Sequence, residues 1–198
     1  MSASAGSSAV RELSARPPDQ ADEGIQVSLV PLRRRHLRSV MRIEAQVYPR
    51  PWTLPLFLSE LSLRSSRYYV AARMSGTVVG YAGIMFAGEE AHVTNIAVDP
   101  AWHRQHVGSR LLLQLARQAI AVGARHLTLE VRVTNKGAQQ MYRRFGFEPA
   151  GIRKNYYAES REDALIMWAH DIDSDHYARL LASIASRIRG TTVVEEIR

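Results

Sequence analysis

The chain contains no cysteine. Disulfides, thiolate nucleophiles and cysteine-ligated zinc are therefore excluded, and the composition fits a reducing compartment. No apolar run approaches the roughly 20 residues that span a bilayer. The opening 24 residues, MSASAGSSAVRELSARPPDQADEG, lack a basic stretch followed by an apolar one, so they do not read as a secretory signal. Asp19, Asp22 and Glu23 argue against an organelle transit peptide. There is no Gly-x-Ser-x-Gly elbow for a serine nucleophile. The seven His show no His-Glu-x-x-His spacing, so no metal is expected. These absences together predict a cytoplasmic protein with no membrane partner.

The 198 residues suffice for one ordinary domain with some length left over, and 46% of them are hydrophobic, as in globular proteins. The formal net charge of +7 is unevenly spread. Residues 1–24 and 171–198 are slightly acidic, and the excess of Lys and Arg lies in 25–170. A basic domain attracts nucleic acid or a phosphate-rich ligand, although a solvated Arg-rich surface has the same composition.

Residues 1–24 are Ser-, Ala- and Pro-rich without periodicity and read as a disordered tail. Ile25–Val30 alternates as a first strand. Leu32 to about Val47 reads as a helix, with Leu37, Val40, Met41 and Val47 at helical spacing, and Pro49, Pro51 and Pro55 then hold a rigid loop around Trp52. A short helix over Leu54–Leu63 precedes three strand candidates, Tyr68–Arg73, Val78–Phe86 and His92–Val98, separated by turns and expected to pair as an antiparallel meander. Val107–Val122 is a helix capped by Gly123. Leu127–Val131 reads as a strand, Asn135–Phe145 as a helix stopped by Gly146, and 147–157 and 164–169 as two final strands. The order β-αα-βββ-α-β-α-ββ predicts an α/β (α+β) fold, a mixed central sheet with flanking helices over 25–170. An extra amphipathic helix lies in 171–198, with Tyr177, Leu180, Leu181, Ile184 and Ile188 at helical spacing.

Two segments carry chemistry. At Asn95–Arg110 a strand ends, a short loop follows and a helix starts. The first amides of a helix have no internal partner and face outward with the positive end of its dipole, which suits an anion. Gly108 allows close approach to the backbone, and Arg104 and Arg110 add charge. In the second segment, Leu127–Val131 is apolar except for Thr128 and Glu130. Burial in such a strand is expected to raise the Glu130 pKa and suit it to general base work. Pairing with an Arg such as Arg132 is the equally good structural alternative. Asn135, Ala138 and Tyr142, at i, i+3 and i+7, share one helix face. There Tyr142 offers a phenol able to protonate a leaving thiolate, or serves as a core aromatic.

The loop, the Glu130 strand and the Asn135–Phe147 helix together resemble the GNAT acetyltransferase superfamily. LEVRVTNKGAQQMYRRFGF, NIAVDP and RKNYYAESREDALIM are similar to its RimI branch, the bacterial ribosomal-protein-alanine N-acetyltransferases. The resemblance covers about Ile25 to Ala169. It implies a GNAT fold and acetyl-CoA bound through Ile96, Ala97, Val98, Arg104, Gln105, His106, Val107, Gly108, Ser109 and Asn135. It also implies Glu130 as general base, Tyr142 as general acid, and an acceptor side lined by Tyr48, Trp52, Tyr156 and Tyr157. The family's Gln/Arg-x-x-Gly-x-Gly/Ala loop is altered here: His103 holds the first position and His106 that of the first Gly. If that position needs φ > 0, His106 carries strain of about 1–2 kcal/mol. Its imidazole is also a candidate to gain a proton beside a diphosphate.

The activity implied is direct transfer of acetyl to the N-terminal α-amine of a protein, a ribosomal protein first, by a chain expected to be monomeric. A small-molecule amine or polyamine is the alternative acceptor. A non-catalytic CoA-binding module, or a basic module binding ribosome or nucleic acid, is the alternative of another class. No sequence-specific nucleic-acid signature is present.

Overall fold

The computed structural model describes residues 25–195. The disordered-tail expectation for residues 1–24 lies outside them. Alternation in the first strand segment produces β1 (Gln26–Pro31), with Val27, Leu29 and Val30 buried. A 3-10 turn at Arg34–His36 leads into α1 (Leu37–Val47), so the helix begins later than the apolar spacing alone implies. Leu37, Val40 and Ile43 form its buried stripe, and Glu44 joins them. The prolines then open a loop before α2 (Leu54–Ser62).

The expected meander follows as β2 (Arg67–Met74), β3 (Thr77–Ala87) and β4 (Glu90–Val98), each antiparallel to the next. Next come α3 (Val107–Ala121), β5 (His126–Arg132), α4 (Lys136–Arg144), β6 (Glu148–Tyr157) and β7 (Glu162–Ala169). The strands form one sheet in the order β6-β7-β5-β4-β3-β2-β1, and an eighth strand lies beyond β1. One core face packs α3, α4 and α5 (Asp175–Arg187) against the sheet, and the other packs α1 and α2.

Two features of this sheet position the site. The β4–β5 pair is parallel but holds register only over Glu90↔His126, Ala91↔Leu127 and His92↔Thr128. Beyond it β4 runs on to Val98 and β5 to Arg132, so the strands diverge into a wedge. The second feature is an irregularity at Thr94, where Gly83 pairs with Asn95 but Ile84 with Val93. An inserted residue of this kind exchanges the faces of all that follows. Accordingly Val93 belongs to the core beneath α3, whereas Ala97 belongs to the core beneath α1.

The C-terminal segment departs from expectation in one element. Helix α5 is present, with Ser174 capping it by accepting from Tyr177 N at 3.2 Å. Its Tyr177 and Leu181 are buried in the chain's own core, which covers the apolar stripe. After it, β8 (Thr191–Val194) pairs parallel with β1. Four exposed residues are too short a run for alternation to reveal a strand. Gly190 makes the turn possible: its φ is +77°, and a Cβ there would stand 2.3 Å from the Ile25 carbonyl oxygen. No helix among the described residues is long and apolar enough to cross a membrane.

Candidate active site

Glu130 sits on β5 at the mouth of the wedge. Leu127, Leu129 and Val131 point into the α3 core, so alternation sends Thr128, Glu130 and Arg132 to the opposite face. Glu130 Oε2 lies 2.6 Å from His92 Nε2, and its Oε1 lies 3.2 Å from Arg153 Nη2. A carboxylate only accepts, so the His92 Nε2 carries the proton in this bond. The hydrogen bond from His92 holds the Glu130 carboxyl below its usual range, overcoming the opposing effect of burial, and the Arg153 charge adds to the lowering. This corrects the expectation of a raised pKa: an apolar strand sequence shows the burial but not the cross-strand partners. Arg132, the pairing partner suggested by sequence, instead binds Glu159 at 2.6 Å and Glu162 at 2.9 Å and stacks 3.8 Å above the Tyr157 ring.

Tyr142 is on α4 with its ring buried, 5.8 Å from that of Phe147. Burial first, and the Tyr157 phenol second, push its pKa upward, so the hydroxyl stays protonated at neutral pH. Tyr157 is itself pushed up to about 12, chiefly by burial. Asn135 does not lie on the face of α4 as the spacing suggested. It is the N-cap, its Oδ1 accepting from Ala138 N at 3.1 Å, so its side-chain oxygen is committed to the helix end.

On the other side of the wedge, β4 presents backbone. The Tyr48 hydroxyl donates to the Ile96 carbonyl at 3.0 Å, and His103 Nε2 stands 3.1 Å from the Val98 carbonyl. Ala97 faces the other way, in register with Tyr81 of β3. Tyr48 and Trp52 are half-buried on the α1 side of the sheet, and the Trp52 ring lies 5.3 Å from Phe57. Tyr156 is exposed and meets Tyr157 edge-on at 5.2 Å.

The loop joining β4 to α3 has two residues in the left-handed region. His106, the N-cap of α3, has φ 58° and ψ 16°, and Arg104 has φ 60°. The strain expected at His106 is therefore present. Its proposed protonation is not favoured in the free protein: burial first, then the charges of Arg110, Arg189 and Arg144, lower its pKa. Val107 is buried, and Arg104 and His106 are exposed, with Gln105 and Ser109 half-buried beside them. Gly108 leaves room for a packing neighbour, since a Cβ there would meet Met141 Sδ at 3.3 Å. Arg110 does not serve the loop at all. It turns inward, 1% exposed, and donates to Thr192 Oγ1 and the Arg189 carbonyl. Helix phase explains this, because Arg110 lies between Val107 and Leu111 on the buried stripe.

Because the strain at His106 belongs to its side chain and not to its amide, His106→Gly should relieve it and leave anion recognition intact. The melting temperature is expected to hold or rise, and the Kd for CoA to stay within about threefold, well under the tenfold that 1.4 kcal/mol represents. Titration calorimetry checks this, and a large fall in affinity would show that the imidazole itself binds.

Sequence reasoning missed three residues at the site. His92 and Arg153 complete the surroundings of Glu130, and only the strand order reveals them. Glu44 could have been found: it falls four residues after Val40 on the buried stripe of α1. It is fully buried, accepting from the Tyr81 hydroxyl and from Trp52 N at 2.7 Å. Burial raises its pKa, against the lowering by these two bonds. Glu44 thus fastens the Pro-rich loop to the sheet. Glu44→Gln preserves shape but can offer only one carbonyl oxygen to two donors. It should raise the KM for acceptor about tenfold while leaving kcat and CoA affinity near wild type, as loss of one charge-assisted bond predicts. Steady-state kinetics with each substrate varied in turn separates these effects.

Comparison with known proteins places this geometry in a family. The acetyltransferase (GNAT) family model matches residues 37–147. A relative from Bacillus subtilis (strain 168) is 40% identical over 137 residues, covering 69% of this chain and 91% of its own length. The N-alpha-acetyltransferase RimI of Mycobacterium tuberculosis (strain ATCC 25618 / H37Rv) is 37% identical over 150 residues, 71% of this chain and 90% of that one. The crystal structure of the ribosomal-protein-S18-alanine N-acetyltransferase from Escherichia coli superposes with a TM-score of 0.67 at 33% identity, covering 73% of this chain and 94% of that one. The diverging β4 and β5, the helix start after β4 and the Glu130 strand all fall in the shared region, and the chain belongs to the acetyltransferase (GNAT) family.

Proposed function

We propose that this chain transfers acetyl from acetyl-CoA to the N-terminal α-amine of a protein, with the alanine end of a ribosomal protein as the first acceptor to test. The observation that carries the reading is the wedge. It sets a carboxylate on β5 opposite the stretch of β4 that β5 no longer pairs, with a buried phenol on the neighbouring helix. Family members use acetyl-CoA, and the residues here fit it. Ile96 and Val98 turn backbone groups into the wedge, and the α3 amides start at a left-handed His106 with the charges of Arg144 and Arg189 within reach. Residues 96–98, 104–109 and Asn135 would hold it. Asn135 contributes through the helix start it caps and its remaining amide hydrogens.

Acetyl-CoA supplies an acyl group activated as a thioester. Glu130, bonded to His92, accepts a proton from the acceptor nitrogen as the new C–N bond forms. Tyr142 delivers its proton to the sulfur as the C–S bond breaks, so charge balances. Tyr48, Trp52, Tyr156 and Tyr157 stand around the acceptor side. Arg153 pairs with Glu130 from an exposed position, where an incoming ammonium competes with it for the same carboxylate.

The test incubates the protein with acetyl-CoA and short peptides beginning with Ala, Ser, Met or Gly, with spermidine alongside, and follows release of free thiol. Turnover with an Ala peptide above the rest supports the reading. Turnover with spermidine alone would move it to small-molecule amines, and CoA binding without any turnover would make the chain a binding module.

A further inference from the structure

Much of the basic excess sits where acetyl transfer does not use it. Residues 25–59 contain six Arg, no Lys and a single acid, Glu44. Glu44 is fully buried against Tyr81, so it offers the surface no counter-charge. Arg33, Arg34 and Arg35 come at the 3-10 turn before α1, Arg38 and Arg42 lie on α1 itself, and Arg50 follows in the Pro-rich loop. All six are exposed. The buried stripe of α1 faces the sheet, so Arg38 and Arg42 project from its outer side, one turn and about 6 Å apart.

Little on the described chain neutralises this row. Arg33, Arg34, Arg35 and Arg38 form no ion pair among the described residues, and Arg42 reaches Asp99 only at 3.7 Å. Arg35 Nε instead donates to His36 Nε2 at 3.1 Å. The His36 imidazole registers the crowding. After burial, the charges of Arg35, Arg73 and Arg33 lower its pKa, and the opposing effect of Glu195 is smaller than each. Like charges set this close repel one another, and a polyanion that replaces their counterions relieves the repulsion.

The same face says which polyanion fits. A lipid surface needs apolar anchors beside the charges. From Arg38 to Arg50 the exposed residues other than Arg are Ala45, Gln46 and Pro49. Single strands are held by stacking on aromatic rings. Here Tyr48 and Trp52 are half-buried, the first bonded to the Ile96 carbonyl and the second packed on Phe57. A duplex presents a regular line of phosphates and requires neither anchor nor ring.

We propose that the row from Arg33 to Arg50 docks the chain on the phosphate backbone of an RNA duplex, without reading its sequence. Guanidinium forks pair with phosphate oxygens two at a time. RNA is chosen over DNA because the acceptor proposed above is the end of a ribosomal protein, and that choice alone rests on the transfer reading. The row ends at the loop that carries Tyr48 and Trp52. A duplex lying along α1 therefore brings a protein seated on it to the acceptor side.

The test is fluorescence anisotropy of the full chain with a labelled RNA duplex of about 20 base pairs, longer than the ~16 that a duplex-RNA domain spans. Titrations run between about 50 and 200 mM salt, and a Kd of about 10⁻⁶ M is expected at the lower end. Log K should fall against log salt with a slope of about −4 to −5, from roughly five phosphate contacts at about 0.9 each, Arg42 being shared with Asp99. Arg34→Gln with Arg38→Gln should weaken binding about tenfold or more and reduce the slope by about two. The control of equal net charge, Arg117→Gln with Arg179→Gln on α3 and α5, should bind as wild type. Both pairs should keep the wild-type melting temperature and the wild-type rate of thiol release with a short Ala peptide, so docking and transfer are read separately. The proposal is overturned by absence of binding at low salt, by a control pair that loses as much as the Arg34/Arg38 pair, or by displacement of the duplex by CoA. Tighter binding of the matched single strand, the matched DNA duplex, phosphatidylserine vesicles or polyglutamate would overturn it as well.

Discussion

Glu130→Gln is expected to lower kcat by about 10²- to 10⁴-fold, the usual contribution of a positioned general base, while leaving the Kd for CoA unchanged. The amide keeps the size of the carboxylate and can still accept from His92, so the strand should fold as before. It loses the charge that Arg153 and an acceptor ammonium share. The pH profile adds a second readout. With its pKa lowered, Glu130 is ionised at every pH above the ordinary carboxylate range, and its charge is lost only as pH falls below that range. The acid limb of kcat/KM between pH 6 and 8 should therefore follow the acceptor α-amine, whose pKa is about 8, and not Glu130. Stopped thiol-release assays across pH, on wild type and variant, measure both. Wild-type turnover in the variant would remove Glu130 from the chemistry.

Tyr142→Phe is expected to reduce kcat by about 10²-fold or more through loss of the proton donor, again with little change in CoA affinity. The hydroxyl has no hydrogen-bond partner among the described side chains, and the ring is held by packing against Phe147. Removing the oxygen should leave stability near wild type. A melting temperature within a few degrees and a greatly reduced turnover would separate chemistry from structure. Partial recovery with an acyl donor whose thiol leaves more easily is the further signature of a missing acid.

How much of this was legible in the residues differs from element to element. The meander, the helix after it and the Glu130 strand announce themselves through period and turn chemistry. So do the residues that meet at the wedge, because each sits at a fixed offset within one strand or one helix. What stayed hidden depends on pairing between distant strands. His92 bonds Glu130 only because β4 and β5 are parallel neighbours that part after Thr128. The direction of the Glu130 pKa follows from that bond, so the strand sequence alone points the wrong way. Proximity to His106 makes Arg110 look like a loop cation, although its phase on α3 between Val107 and Leu111 already points inward. The spacing puts Asn135 on a helix face, whereas it is the residue that caps the helix start, a difference of one position at an end where boundaries are least sharply set by sequence.

The edge made by β1 and β8 joins the two ends of the described chain. While the protein is being synthesised, every residue from β1 to α5 is joined before the segment that accepts Arg110's hydrogen bonds has been made. Closing that edge is the most non-local step in the fold, and such contacts form late. Until then α3, the helix whose first turn is proposed to meet the pyrophosphate, carries a guanidinium without these acceptors. The nascent acetyltransferase should therefore gain its stable cofactor cradle only once β8 has been made and has paired with β1. A stalled chain ending at Ile188 ought to retain CoA poorly, even though every residue assigned to transfer has already been built.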